Sequence, residues 1–329
     1  MATTTTTQIA SARTEFFDKV LLVRALPFLS YDKFGQRKPL PKGNSKTIKF
    51  RRYTALATAT STLSEGTQPT AVQLAKTDIT ADVAQYGNVV EITDMVDATN
   101  VESVLTETNE LLGENAGESL DEIYRDVLVA GTTVQYANGT VRTAVNEIIT
   151  GEMLDKVIRT LKRNNSVMHT EMIKAGTGIG TSPIRPAFWG IVHPDVEYTL
   201  EKIVGFKHTI EYASQGPVMD GEIGSYKNIR FLSTTKGKIW TDAGGAVTGA
   251  VRSTTGTSCD VYGICIFAKN AYGITELRGE GLKNYYKDFG SSGTDDTLNQ
   301  KASAGWKATT VAKILNDNFM LRLEVAAAA

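Results

Sequence analysis

An α+β fold of helices with mostly antiparallel strands follows from three observations. Residues 101–128 carry apolar side chains at the helical period for about eight turns. Lys46 to Tyr53 alternates Ile48 and Phe50 with polar residues, as a strand does, and a second such segment follows it. Beyond residue 186, short apolar runs alternate with glycine turns, notably Phe188 to Val192, Ile229 to Leu232 and Val261 to Phe267.

Taken in order, residues up to about Ser45 read as an arm with few partners in its own chain. It holds one amphipathic stretch around Phe16, Phe17, Val20 and Leu21, interrupted at Pro27. Gly35, Pro39, Pro41 and Gly43 then keep the backbone extended. Lys46 to Tyr53 pairs with a return segment running from Val72 through Ile79 and Val83 to Ile92, giving one long two-stranded hairpin. Its middle, Ala55 to Thr70, is Ala, Thr, Ser and Gly with little apolar bulk. A ribbon of this kind is marginal alone in water, so its apolar face needs a partner. Thr99-Asn100-Val101-Glu102 fits a capping box at the start of the long helix. Its stripe includes Leu105, Leu111, Leu112, Ala116, Leu120, Ile123, Val127 and Leu128. Gly113 and Gly117 interrupt it, at about 1 kcal/mol each relative to alanine. They mark either close packing against another backbone or a bend point. Thr150 caps a helix with Leu154, Val157, Ile158 and Leu161 on its apolar face and Lys156, Arg159, Lys162 and Arg163 toward its end. Pro194-Asp195 opens another, with Val196, Leu200, Ile203 and Val204 on one face. Gly305 to Val325 reads as strands, followed by a soft alanine tail.

The formal net charge is -1, from 35 Lys+Arg and 36 Asp+Glu, so no overall basic field supports a dedicated nucleic-acid binder. Cys259 and Cys265 with His169, His193 and His208 show no zinc-ligand spacing, and a reducing compartment suits the chain. Cys265 lies in an apolar run and reads as a small buried hydrophobe. No apolar run reaches the roughly 20 residues of a membrane helix, and the first residues lack a secretory pattern, so the chain is expected to be soluble. Catalytic chemistry is sparse. Gly176-Thr177-Gly178-Ile179-Gly180 is followed by prolines where a phosphate-binding helix should begin. His193 and Asp195 lack a nucleophile elbow, and the acidic pairs Asp295-Asp296 and Glu114 with Glu118 read as solvated. No cofactor, metal or catalytic residue is expected.

Gly216 to Leu232 (Gly-Pro-Val-Met-Asp-Gly-Glu-Ile-Gly-Ser-Tyr-Lys-Asn-Ile-Arg-Phe-Leu) resembles a recurrent segment in tailed-phage coat proteins of the Hong Kong 97-like fold. Further matches come in the family's order. Gly43 to Tyr53 resembles the start of the extended loop, Leu63-Ser64-Glu65-Gly66 its tip, and Gln85-Tyr86-Gly87-Asn88 through Asp94 its return. Arg125 to Thr132 is similar to the end of the spine helix, and Gly281 to Lys307 to the last pass through the peripheral domain. The coat proteins of the N-four podophage type are similar over residues 40–325. Asp295-Asp296-Thr297-Leu298 departs from the Asp-Pro common in relatives, and Ala175 to Thr181 has no firm counterpart.

The resemblance implies a major capsid protein, not an enzyme, that self-assembles into hexameric and pentameric capsomers of an icosahedral virion shell in the host cytoplasm. It implies an N-terminal arm (1–45), an extended hairpin loop and its base (46–95), and a peripheral domain with the spine helix (96–165). An axial domain (166–280) and the peripheral return strands with the tail (281–329) complete the division. Expected inter-subunit contacts are Arg51, Arg52, Tyr53, Leu63, Glu65, Phe16 and Phe17, with Gly113 and Gly117 as the hinge of the spine helix. Partners would be a scaffolding protein, a portal, a decoration protein and packaged DNA contacted non-specifically, with no membrane. The Lys, Asn and Glu of an isopeptide crosslink cannot be placed, so none is expected. Other readings are an encapsulin-like nanocompartment shell, a soluble hydrolase or nucleotide-binding enzyme using Gly176 to Gly180, and a β-rich adhesin.

Overall fold

The computed structural model describes residues 21–25, 29–43, 45–54, 56–60, 62, 65–66, 68, 71–99, 104–169, 186–212, 218–291 and 298–329. Its strands are β1 (Gln36–Arg37), β2 (Thr47–Tyr53), β3 (Lys76–Asp82), β4 (Ala84–Thr93), β5 (Val134–Tyr136), β6 (Phe188–Val192), β7 (Phe206–His208) and β8 (Glu222–Tyr226). The series continues with β9 (Ile229–Ser233), β10 (Lys238–Trp240), β11 (Val261–Phe267), β12 (Tyr272–Glu276), β13 (Lys283–Lys287), β14 (Lys301–Ile314) and β15 (Met320–Ala326).

Two larger sheets hold all of these strands but β2 and β3, which pair with each other. In the five-stranded sheet β14 is the organising strand: β4 pairs along one side of it, β12 and β13 along the other, and β1 adds to β12. The eight-stranded sheet runs β5-β15-β11-β6-β9-β8-β7, with β10 also on β11. Every residue of β11 is buried, because both of its faces are covered. Tyr262, Ile264 and Ile266 meet the helices Gly151–Arg163 and Pro194–Glu201 on one face, while Cys265 and Phe267 join the core under the long helix on the other. A fully apolar strand is what a doubly covered position requires.

The long helix, Val104–Val129, lays Leu112, Ala116, Leu120, Tyr124 and Leu128 against Ala304, Trp306, Ala308 and Ala312 of β14. Alanines at three of these four positions let the helix approach closely on either side of Trp306. Leu111, placed on the stripe by the sequence pattern, is 63% exposed, since the drift of a 3.6-residue period carries it off the core. The expected cap at Thr99 is not seen. Thr99 ends a short helix, Asp94–Thr99, and its hydroxyl donates to the Met95 carbonyl; Asn100 to Glu102 lie outside the described residues.

Three further expectations are corrected. The return segment of the hairpin serves two sheets: β3 pairs with β2, and after Val83 the chain passes to β14 as β4. The ten-residue ladder that β14 offers outcompetes a longer two-stranded ribbon. The Pro194 helix ends at Glu201, because Gly205 at φ +94° turns the chain into β7 and leaves Val204 94% exposed. The terminal alanines are not soft: Ala326 and Ala327 are fully buried and the Ala329 N–H reaches the Ala250 carbonyl.

The expected segment boundaries also differ from the sheet boundaries. Gly151–Arg163 packs on the eight-stranded sheet, not with the long helix, β12 belongs to the five-stranded sheet, and β15 returns to the eight-stranded one. The chain passes between the sheets at β11 to β12, at β14 to β15 and after the long helix, and these three passages lie side by side. The Ala271 carbonyl accepts from the N–H groups of both Leu315 and Asn316, and Ala268 N–H donates to the Phe319 carbonyl. Asp317 accepts from the Thr132 hydroxyl at 2.9 Å, and the Thr133 hydroxyl donates to the Asp317 carbonyl at 3.0 Å.

Candidate assembly surfaces

The hairpin β2–β3 has a packed base and a bare far end. Ile48, Phe50 and Ala81 are buried with Leu40 and against Leu277, Val311 and Leu315. The base therefore folds onto its own chain, which corrects the expectation that the whole apolar face seeks a partner elsewhere. Beyond it Tyr53, Val72 and Leu74 are 61%, 68% and 65% exposed. Large side chains in that condition are costly to leave in water, at about 25 cal/mol per Å² of apolar surface. Arg51 is held by Asp78 at 3.0 Å, while Arg52 is exposed. Glu65 is exposed in the turn beside Gly66, whose φ of +73° suits glycine. Leu63, Phe16 and Phe17 lie outside the described residues.

The arm is more tied down than its composition implies. Residues 21–25 are helical, Leu21, Ala25, Tyr31 and Phe34 are buried, and β1 adds in parallel to β12. Arg24 bridges Glu110 at 2.9 Å and Glu114 at 3.5 Å. Asp121, fully buried on the long helix, accepts from the N–H groups of both Ser30 and Tyr31 at 2.7 Å through one oxygen. Its other oxygen is buried without a partner, and burial raises its pKa to about 7 against the pull of those two N–H groups. This clamp escaped the sequence reading. The available signal was an acid directly after Leu120 and three residues before Tyr124 of the buried face, where an unpaired carboxylate is expensive.

Gly113 is explained by the same arm. A Cβ there would stand 2.7 Å from the Leu21 carbonyl oxygen and 3.0 Å from Arg24 Cβ, so close backbone approach accounts for the missing side chain. Gly117 is also buried. Gly113→Ala is expected to destabilise the subunit by about 1–3 kcal/mol through overpacking, although alanine is the better helix former by about 1 kcal/mol. Thermal melting of the unassembled chain measures it. A stabilised variant would show that the arm lifts off freely.

The candidate chemical groups disperse. His193 caps its helix by accepting from Asp195 N–H at 3.2 Å, and burial lowers its pKa. Asp195 is committed to Tyr262 at 2.8 Å and Arg252 at 2.9 Å. Glu114 faces Arg24 and Glu118 faces Lys236. Buried Glu324 sits between Arg142 and Arg322, at 2.7 and 2.8 Å, a structural triad. Both cysteines are buried and free, and burial pushes the Cys265 thiol up to about 12. Gly176 to Gly180 and Asp295-Asp296 lie outside the described residues. Among the described residues no group of His, Cys, Asp and Glu could hold a metal ion, and no helix is long and apolar enough to cross a membrane.

Among the described residues no strand pairs with the outer edge of β4 in the five-stranded sheet. Within the β4–β14 ladder, Asp94 N–H bonds the Gln300 carbonyl, which sets the even residues of β4 facing β14 and the odd ones outward. The outward N–H of Val89 is capped by its own neighbour, Asn88 Oδ1, at 2.9 Å. An edge strand blunted in this way avoids indiscriminate pairing.

No curated protein matches this chain. Solved structures resemble it over most of its length. The capsid of Ralstonia phage GP4 superimposes with a TM-score of 0.65 at 11% identity, covering 90% of this chain and 87% of that one. The capsid of cyanophage Pam1 gives 0.63 at 13%, covering 93% and 92%, and the holo-SrpI encapsulin complex of Synechococcus elongatus 0.53 at 9%, covering 88% and 84%. A family model described as phage capsid protein matches residues 76–256, more than half of the chain. With an exposed hairpin end and an arm tied to a long helix, the chain belongs to the phage capsid protein family and has its Hong Kong 97-like fold.

Proposed function

We propose that this chain is the major capsid subunit of a tailed phage, closing into hexameric and pentameric capsomers around double-stranded DNA. The observation that carries the reading is the hairpin: its base is anchored in its own subunit and its apolar far end is exposed. In the assembled shell that end lies across the neighbouring subunit, with Arg52, Tyr53 and Glu65 at the contact. Obligate assemblies bury exposed apolar side chains of this kind in interfaces of more than ~2,000 Å². Ring-forming contacts of this kind repeat by symmetry.

Assembly takes place in the host cytoplasm, with a scaffolding protein setting the shell's size, a portal at one vertex and a decoration protein on the outside as partners. Gly113 and Gly117 weaken the long helix, and the early shell bends it there before maturation straightens it. Shells carrying Gly113→Ala with Gly117→Ala are expected to expand with altered kinetics.

Negative-stain microscopy of the expressed full chain, with and without a co-expressed scaffold, tests the whole. Rings, tubes or shells are expected, and a strict monomer under both conditions would sink the proposal. The encapsulin likeness motivates a second reading, a nanocompartment shell. Closed particles that form without scaffold and retain a protein cargo would favour it.

A further inference from the structure

The helix Gly151–Arg163 buries Met153, Leu154, Val157, Ile158 and Leu161 and turns Lys156, Arg159, Lys162 and Arg163 to solvent. Six arginines of the chain, Arg24, Arg51, Arg125, Arg142, Arg230 and Arg322, each meet a carboxylate within 3.0 Å. Among the described residues these four meet none. Lys162 donates only to the neutral Asn228 amide, at 3.2 Å. The acid in the middle of the helix, Asp155, is neutralised from outside by Lys227 at 2.6 Å. The result is a basic stripe, opposed on its own face by Glu152 in the first turn, on a chain of net charge -1.

Helix electrostatics explains only part of it. Cations favour the last turn of a helix, and the effect fades beyond that turn. Lys162 and Arg163 occupy the last turn, but Lys156 and Arg159 lie before it. Along the axis the four charges span about 10 Å, and one strand of a duplex presents a phosphate about every 3.4 Å of that distance. Arginine matches phosphate bidentately, which favours the two guanidinium groups here over a diffuse charge effect. The stripe holds no aromatic side chain on which an unpaired base could stack, so it suits a duplex better than a single strand.

We infer that this face is a contact for the phosphate backbone of double-stranded DNA, sequence-independent and weak, on the inner side of the shell. The inference rests on the reading of the chain as the subunit of a DNA-enclosing shell and names where that subunit touches its contents. Four cations on a chain of net charge -1 give a contact that salt and motion release easily, which suits a genome that has to leave.

The test uses the full chain held unassembled at low concentration, with a fluorescently labelled 20-base-pair duplex of arbitrary sequence followed by anisotropy across salt. Each neutralised phosphate contributes about 0.9 to the slope of log affinity against log salt. K156Q/R159Q/K162Q/R163Q should therefore lower the slope by about 3 to 4, while R159K/R163K keeps it. Circular dichroism and melting confirm that the buried face of the helix is intact, and R159Q/R163Q, expected to remove about half of the change, replaces the quadruple variant if that one misfolds. An unchanged slope in a folded variant overturns the inference. So does poly-glutamate binding as tightly as the duplex, which would assign the face to an acidic protein, and so does duplex binding by closed shells through these residues, which would place the face outside. Shell formation is scored in parallel by negative stain. Shells with unaltered DNA binding remove this inference alone, whereas failure of the unaltered chain to assemble removes the reading beneath it.

Discussion

Joining Thr54 to Ala75 through an Asn-Gly turn, in place of residues 55–74, is expected to abolish closed shells while leaving the subunit folded. Asn-Gly is the two-residue turn whose twist matches a hairpin, and it closes on a hydrogen-bonded pair, which Thr54 and Ala75 form just beyond the Tyr53–Lys76 pair, the Thr54 N–H donating to the Ala75 carbonyl at 2.9 Å. What remains is the packed base, Ile48, Phe50 and Ala81 on Leu40, Leu277, Val311 and Leu315. What goes is the exposed end, including Leu56, Val72 and Leu74, which contribute to no core cluster. Removing them takes apolar surface out of water without opening a cavity. The melting temperature should stay within a few degrees while negative stain shows capsomers at most. Normal shells from the shortened chain would strip the hairpin of its role between subunits.

Asp121→Ala should be the most damaging single change in the arm region, at about 2–5 kcal/mol. It leaves the Ser30 and Tyr31 N–H groups buried without an acceptor, each costing about 1–3 kcal/mol. Asp121→Asn should cost far less, because a single amide oxygen can take both bonds that now go to Oδ1. The two variants also separate in pH. The carboxyl titrates near 3.8 in the unfolded chain and at about 7 in the folded one, so between these values the folded state holds more protons. The contribution of this group is therefore fully present below about pH 4, falls as pH rises and levels off above about pH 7. Denaturant unfolding of the unassembled chain should show that decline in the wild type and its absence in Asp121→Asn. A wild-type stability that rises steadily across the same window, with the same rise in Asp121→Asn, would show that the carboxylate is ionised throughout and held by the two N–H groups.

Much of this was legible from local patterns. The Gly151–Arg163 and Pro194 helices, β2, β6, β9 and β11 all follow from periodicity, since each buries one stripe or is buried outright. The Gly216 to Leu232 resemblance falls on the β8–β9 pair, with its turn at Lys227 and Asn228. What sequence could not supply was partnership between distant segments. Val72 to Ile92 reads as one alternating run, yet its two halves join different sheets, because alternation reports that a face is covered and not by what. The arm looked unpartnered for the same reason: its anchors are backbone N–H groups on Asp121 and a parallel addition to β12, neither of which leaves a periodic trace. Gly113 was read as either a bend or a close approach, and the Leu21 carbonyl beside it accounts for the second.

The three side-by-side passages between the sheets have a mechanical consequence. In a closed shell the same sequence must occupy positions of differing curvature, so something in each copy has to yield. Both sheets are internally cross-braced by continuous ladders, and β14 and β15 belong to different sheets with only Leu315 to Phe319 between them. A change of tilt between the two halves is expected to fall on that one seam, on the φ and ψ of a few residues near Ala271, Asn316 and Thr132, leaving both ladders whole while the core that Trp189, Phe267 and Tyr272 share across them shifts. The seam lets one rigid-bodied tile fit several slightly different places.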